Sequence, residues 1–199
     1  RVCAFASLKA MMEVEKPKTT AICLLVDKEE IGSVGATGMT SKFYENAIAE
    51  IMNACGQYDE LNLRRALNKS KMLSSDVTAA FDPNYPTPMN DKTDAFMTRG
   101  ISFNKYTGSR GKYDANDANP EFIAKLRNML DENNVSYQAT EMGKVDAGGG
   151  GTIAYIMAAY GMEVIDAGVP LLNMHAPWEI SCKVDIFESY LCYKTFYKM

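Results

Sequence analysis

The sequence predicts a layered α/β protein with a largely parallel sheet. Two observations carry this. Short apolar runs of strand length alternate with longer stretches whose apolar residues recur at helical spacing. Such alternation is the pattern of strands joined by helical crossovers. The bulk numbers agree with one domain or part of a larger one. The chain has 199 residues, 47% of them hydrophobic and 23% charged, which is ordinary for a globular core.

The elements follow in order. Arg1–Val14 reads as a helix, with Ala4, Phe5, Leu8, Met11 and Met12 on one apolar face. No capping residue precedes it and Arg1 is not an initiator Met, so residues upstream are expected. The unbroken apolar run Ala21-Ile22-Cys23-Leu24-Leu25-Val26 predicts a buried strand over Ala21–Asp27. Helical patterns cover Ser41–Cys55 and Glu60–Asn68, and a short strand follows at Lys71–Ser75. Phe81–Gly100, rich in Pro, Asn, Asp and Thr, predicts a long loop of the kind that often carries function. Ile101–Tyr106 predicts a strand, Thr107–Asn119 a second polar loop and Pro120–Asn133 a helix. Val135–Ala139, Glu163–Asp166 and Leu171–Met174 predict further strands, and Thr152–Ala159 and Asp185–Tyr197 helices.

Charge and cysteine usage exclude several classes. A net charge of −4 argues against a nucleic-acid footprint. The longest apolar runs are too short to span a bilayer, and no secretory leader is visible. Five cysteines (Cys3, Cys23, Cys55, Cys182, Cys192), odd in number and without a Cys-x-x-Cys pair, favour reduced thiols and a cytoplasmic setting.

The residues that can carry chemistry sit where apolar runs end. Asp27-Lys28-Glu29-Glu30-Ile31-Gly32-Ser33 places two adjacent carboxylates at a strand exit. Their repulsion needs a compensating cation or a shared proton, and a hydrolytic metal site uses such a pair, one to bind metal and one to take a proton from water. Asp76 follows Lys71–Ser75, and His175, the only histidine, follows Val169–Met174. Taken alone, Asp76 is better explained as a turn cap, and a lone His is more often a core or surface residue than a ligand. Imidazole with carboxylates suits Zn²⁺, Co²⁺ or Mn²⁺. With one histidine any such site is carboxylate-rich, and sites of that kind often hold two ions. Glu179 is a minor candidate ligand. Gly148–Gly151 precedes a helix, so an anion site is open to it, but a close backbone approach fits glycine better. Arg110 and Lys112 flank Gly111 in a polar loop.

Taken together, Asp27–Ser33, Ser74–Tyr85, Gly143–Ala154 and Asp166–Pro177 resemble, in order and spacing, the aspartyl aminopeptidase and aminopeptidase I family of dinuclear metallo-aminopeptidases. The likeness spans nearly the whole chain. It implies a three-layer, zinc-exopeptidase-like α/β fold, with residues 1–199 forming the C-terminal part of the catalytic domain. It implies Glu29 as general base and Glu30, Asp76 and His175 as metal ligands for two divalent ions, Zn or alternatively Co or Mn. A further His and a bridging Asp would lie upstream of Arg1. Lys105, Arg110 and Lys112 would contact the peptide substrate, and a cation there would favour acidic N-terminal residues. A homo-oligomer, a dodecamer by the same likeness, is also implied. Two rivals stand beside it: a non-catalytic or assembly fragment of such an enzyme, and an anion- or nucleotide-binding module built on Gly148–Gly151.

Overall fold

The computed structural model describes residues 1–199. Its helices are α1 (Val2–Met12), α2 (Phe43–Ala54), α3 (Glu60–Lys69), α4 (Pro120–Glu132), α5 (Ala154–Ala158) and α6 (Lys183–Phe196). Its strands are β1 (Lys71–Ser74), β2 (Thr78–Ala79), β3 (Ile101–Asn104), β4 (Tyr106–Ser109), β5 (Tyr113–Asp117), β6 (Tyr137–Thr140), β7 (Glu163–Gly168), β8 (Pro170–Leu172) and β9 (Ile180–Ser181). The local chemistry explains several boundaries. Asp59 caps α3 by accepting from the Asn62 N–H at 2.8 Å. Pro120 opens α4, where its missing N–H costs nothing.

The main sheet runs β1-β7-β3-β6. β1 and β7 are parallel, as are β3 and β6, while β7 and β3 are antiparallel. β7 lies inside the sheet and is buried on both faces. Alternation sends Val164 to one face and Ile165 and Ala167 to the other. Ile165 and Ala167 meet a core built from α1, α4 and α6, including Ala6, Phe122, Leu126 and Tyr193. Val164 meets Leu63, Leu67, Ala154 and Met157 from α3 and α5. The architecture is therefore three layers with a mixed sheet. A small sheet β2-β8-β9 extends it beyond the ends of β1 and β7.

Four sequence expectations change. Ala21–Asp27 forms no strand, because it pairs with no other strand to complete a ladder; Leu24 and Val26 instead pack toward the second core. Helix α1 turns its small residues inward, burying Cys3, Ala6, Ser7 and Ala10, which lets α6 approach closely. Phe5 and Met12, on the expected core face, are 65% and 77% exposed. Ile101–Tyr106 breaks at Lys105 into β3 and β4. Thr107–Asn119 is a ribbon rather than a loop, since Tyr113–Asp117 pairs with β4 and Asn116 donates to the Val164 carbonyl at 3.1 Å. No helix is long and apolar enough to cross a membrane.

Candidate active site

Glu29 and Glu30 stand on a single 3-10 turn, Glu29–Ile31. The turn is entered through Lys28 and left through Gly32, both left-handed, with φ of 69° and 86°. Ser33 closes it by donating its N–H to the Lys28 carbonyl at 2.8 Å. The Ser33 carbonyl in turn accepts from the Thr40 hydroxyl at 2.7 Å. Gly38 packs so tightly on that carbonyl that a Cβ would lie 2.1 Å from it. The carboxylate pair is thus held by a braced loop.

Asp76 follows β1 by two residues, and its Oδ1 accepts from the Val77 N–H at 2.8 Å. Gly168, at the end of the neighbouring β7, makes room for it: a Cβ there would stand 1.3 Å from the Asp76 carbonyl oxygen. Sequence reasoning misses Gly168, because close approach between two strands leaves no local signal. His175 lies three residues past β8 with φ of 67°. Its backbone N–H donates to Glu179 Oε1 at 3.0 Å, so Glu179 fixes the His175 backbone. His175 Nδ1 is 3.5 Å from Glu30 Oε1.

Glu29, Glu30, Asp76 and His175 all line one cavity of about 550 Å³. Asp114, Glu179, Met89, Met142, Tyr155 and the Gly148–Gly151 run line it too, and no Lys or Arg does. The field is felt in the carboxyls. Burial pushes Glu29 up, helped by repulsion from Asp76 and Glu30. Burial also raises Asp76, partly offset by the Val77 N–H and reinforced by Glu30. Five carboxylates and one imidazole around a cavity without a cation are a donor set that fits divalent metal, whose charge would favour the ionised carboxylates. The side chains as they stand do not close a cage of three around one point.

The three expected substrate cations lie elsewhere. Lys105 pairs with Asp117, Lys112 with Asp146 at 2.5 Å, and Arg110 is exposed on the β4–β5 turn; none lines the cavity. Gly148–Gly151 is a site of close backbone approach. Gly108 donates to the Gly150 carbonyl at 3.0 Å, and a Cβ on Gly149 would lie 2.4 Å from the Gly108 carbonyl. Phosphate has little to gain beside the surrounding carboxylates, which weighs against the nucleotide module.

Comparison with known proteins supplies the family. A family model described as "Aminopeptidase I zinc metalloprotease (M18)" matches residues 1–197. The chain belongs to the M18 aminopeptidase family. A probable M18 family aminopeptidase 1 from Clostridium acetobutylicum is 63% identical over 196 residues, covering 98% of this chain and 42% of that protein. The crystal structure of aminopeptidase I from the same organism superposes with a TM-score of 0.89 at 60% identity, again over 98% and 42% of the two chains. An M18 aminopeptidase structure from Thermotoga maritima reaches 0.95 at 42% identity, over 100% of this chain and 44% of that one. Yeast mApe1, solved as a dodecamer, shares the fold with a TM-score of 0.74 at 21% identity, over 100% and 44% of the chains. The chain spans less than half the length of these M18 relatives.

Proposed function

We propose that the protein of which this chain forms the C-terminal catalytic part removes N-terminal residues from peptides by metal-assisted hydrolysis. The observation that carries the reading is the meeting of Glu29, Glu30, Asp76 and His175, remote in sequence, around one cation-free cavity. Glu30, Asp76 and His175 would hold metal, Zn²⁺ by the family's description, with Co²⁺ or Mn²⁺ as alternatives and a second ion completing the site. Bound metal acidifies water and polarises a carbonyl. Glu29 is left free of that task. It accepts the proton of the attacking water and returns it to the leaving amine. Its half-buried position beside two other carboxylates keeps it a stronger base than an exposed glutamate. Assembly into a closed homo-oligomer, a dodecamer as for the yeast relative, belongs to the same proposal.

A second reading, a non-catalytic or assembly fragment, is favoured by the open arrangement of the three donors. One experiment separates the two. In the full-length protein, Glu29→Gln is expected to keep its metal by elemental analysis and to lower kcat by about 10²–10⁴-fold. Retention of most turnover would remove Glu29 as base. Absence of hydrolysis in the full-length wild type, on any aminoacyl reporter with Zn²⁺, Co²⁺ or Mn²⁺ supplied, would favour the fragment reading.

A further inference from the structure

The cavity has a second end that the proposed hydrolytic residues do not use. Gly148–Gly151 forms bare backbone there, and Met142 and Asp114 stand against it. A Cβ on Gly150 would meet Met142 Sδ at 2.9 Å, and one on Gly151 would meet the Asp114 Cβ at 3.4 Å. The glycines thus let the Met142 thioether and the Asp114 side chain pack directly against the backbone, and all of them line the cavity, with Tyr155 near the Asp114 carboxylate.

We propose that this end receives the side chain of the substrate's first residue, and that Asp114 makes it select cationic and neutral residues over acidic ones. The inference rests on the aminopeptidase reading and names its substrate class. The charge inventory decides the sign. Of the five carboxylates in the lining, Glu30 and Asp76 are assigned to metal, Glu29 to the base, and Glu179 is engaged by the His175 N–H. Asp114 is the one without such a task. No lysine or arginine faces it within the cavity, because Lys105 and Lys112 are drawn outward by Asp117 and Asp146. An incoming guanidinium or ammonium gains an ion pair, and an incoming carboxylate meets like charge. Met142 and Met89 supply adaptable apolar walls for the stem of a long cation or for a neutral aliphatic chain.

The test uses the full-length protein and its Asp114→Asn and Asp114→Lys variants. Asp114 is exposed and left-handed with φ of 51°, which Asn adopts readily, and unfolding of the Lys variant is compared with wild type to show that it is folded. Arginyl, leucyl and aspartyl reporters are compared by kcat/KM. The wild type is expected to hydrolyse the aspartyl reporter slowest. Asp114→Asn should lower arginyl relative to leucyl by about fivefold, as for a partly exposed ion pair, and Asp114→Lys should invert the arginyl and aspartyl order. Calorimetry with arginine amide, leucine amide and aspartate amide should give the same ranking by Kd, independent of turnover. A wild type that prefers aspartyl, or a ranking indifferent to position 114, overturns the subsite. The Kd ranking intact in a protein that hydrolyses nothing would leave the subsite standing and sink the peptidase reading alone.

Discussion

Asp185 and Asp166 are both buried aspartates, at 0% and 5% exposure, and their surroundings are opposite. Asp185, in the first turn of α6, accepts from two backbone amides, Thr98 at 2.7 Å and Gly100 at 2.8 Å. Asp94 does the same for Asn90 and Gly143. Asp185 fastens the C-terminal end of the long 81–100 loop to α6, and Asp94, inside the loop, ties it to Gly143. Asp166 has the Thr107 hydroxyl on Oδ2 at 2.9 Å and no partner on Oδ1. Burial pushes its carboxyl up to about 6, with the Thr107 hydroxyl pulling the other way. It shares a small cavity with Asp76. The contrast teaches where this fold keeps its polar strain: carboxylates that build the scaffold are saturated with amides, and those beside the candidate active site are not.

The largest expected effect is on the saturated side. Asp185→Ala removes two charge-assisted hydrogen bonds and leaves two amides without their acceptor. A loss of roughly 3–5 kcal/mol in urea unfolding is expected. A loss under about 1 kcal/mol would mean that water replaces the carboxylate freely, and the contrast would collapse.

Asp166 should respond to pH instead. Its folded-state value of about 6 lies above the ordinary 3.8. Below 3.8 the group is protonated in both states and costs nothing. As pH rises through that value toward 6, the unfolded chain releases the proton first, and stability falls. The penalty approaches roughly 3 kcal/mol above pH 7. Asp166→Asn abolishes it. Between pH 4.5 and 7.5, the stability difference should move by roughly 2 kcal/mol in the variant's favour. A difference that stays flat with pH would show that Asp166 titrates normally and is as well served as Asp185.

Much of the fold was legible because its elements are locally encoded. Helix α4 declares itself through Pro120 and through Phe122, Leu126 and Leu130, all buried at helical spacing. The exit of Glu29 and Glu30 into a tight turn was legible from the glycine that follows. What failed depends on neighbours. An apolar run such as Ala21–Val26 becomes a strand only beside another strand. The inward face of α1 is set by what α6 needs, small residues, rather than by hydrophobicity. Lys105, Arg110 and Lys112 looked available because sequence does not show that Asp117 and Asp146 draw two of them away. Gly168 and Asp114 carry no signal apart from their places in the assembled fold.

The smallest expected effect lies at the phenol that joins the two regions. Tyr193, buried on α6 eight residues past Asp185, donates its hydroxyl to the Ala167 carbonyl at 2.8 Å and accepts from Ser75 at 2.8 Å. Both residues adjoin a carboxylate discussed above: Ala167 follows Asp166, and Ser75 precedes Asp76. Tyr193→Phe keeps the ring in the core and deletes only the hydroxyl, so a loss of about 1 kcal/mol is expected. Its worth is diagnostic. If α6 only supports the strand ends, the variant loses that stability uniformly and the Asp166 pH dependence is unchanged. A pH profile that shifts with the phenol would mean that the saturated scaffold sets the charge state of its unsaturated neighbour, and the two regions would then be one electrostatic unit.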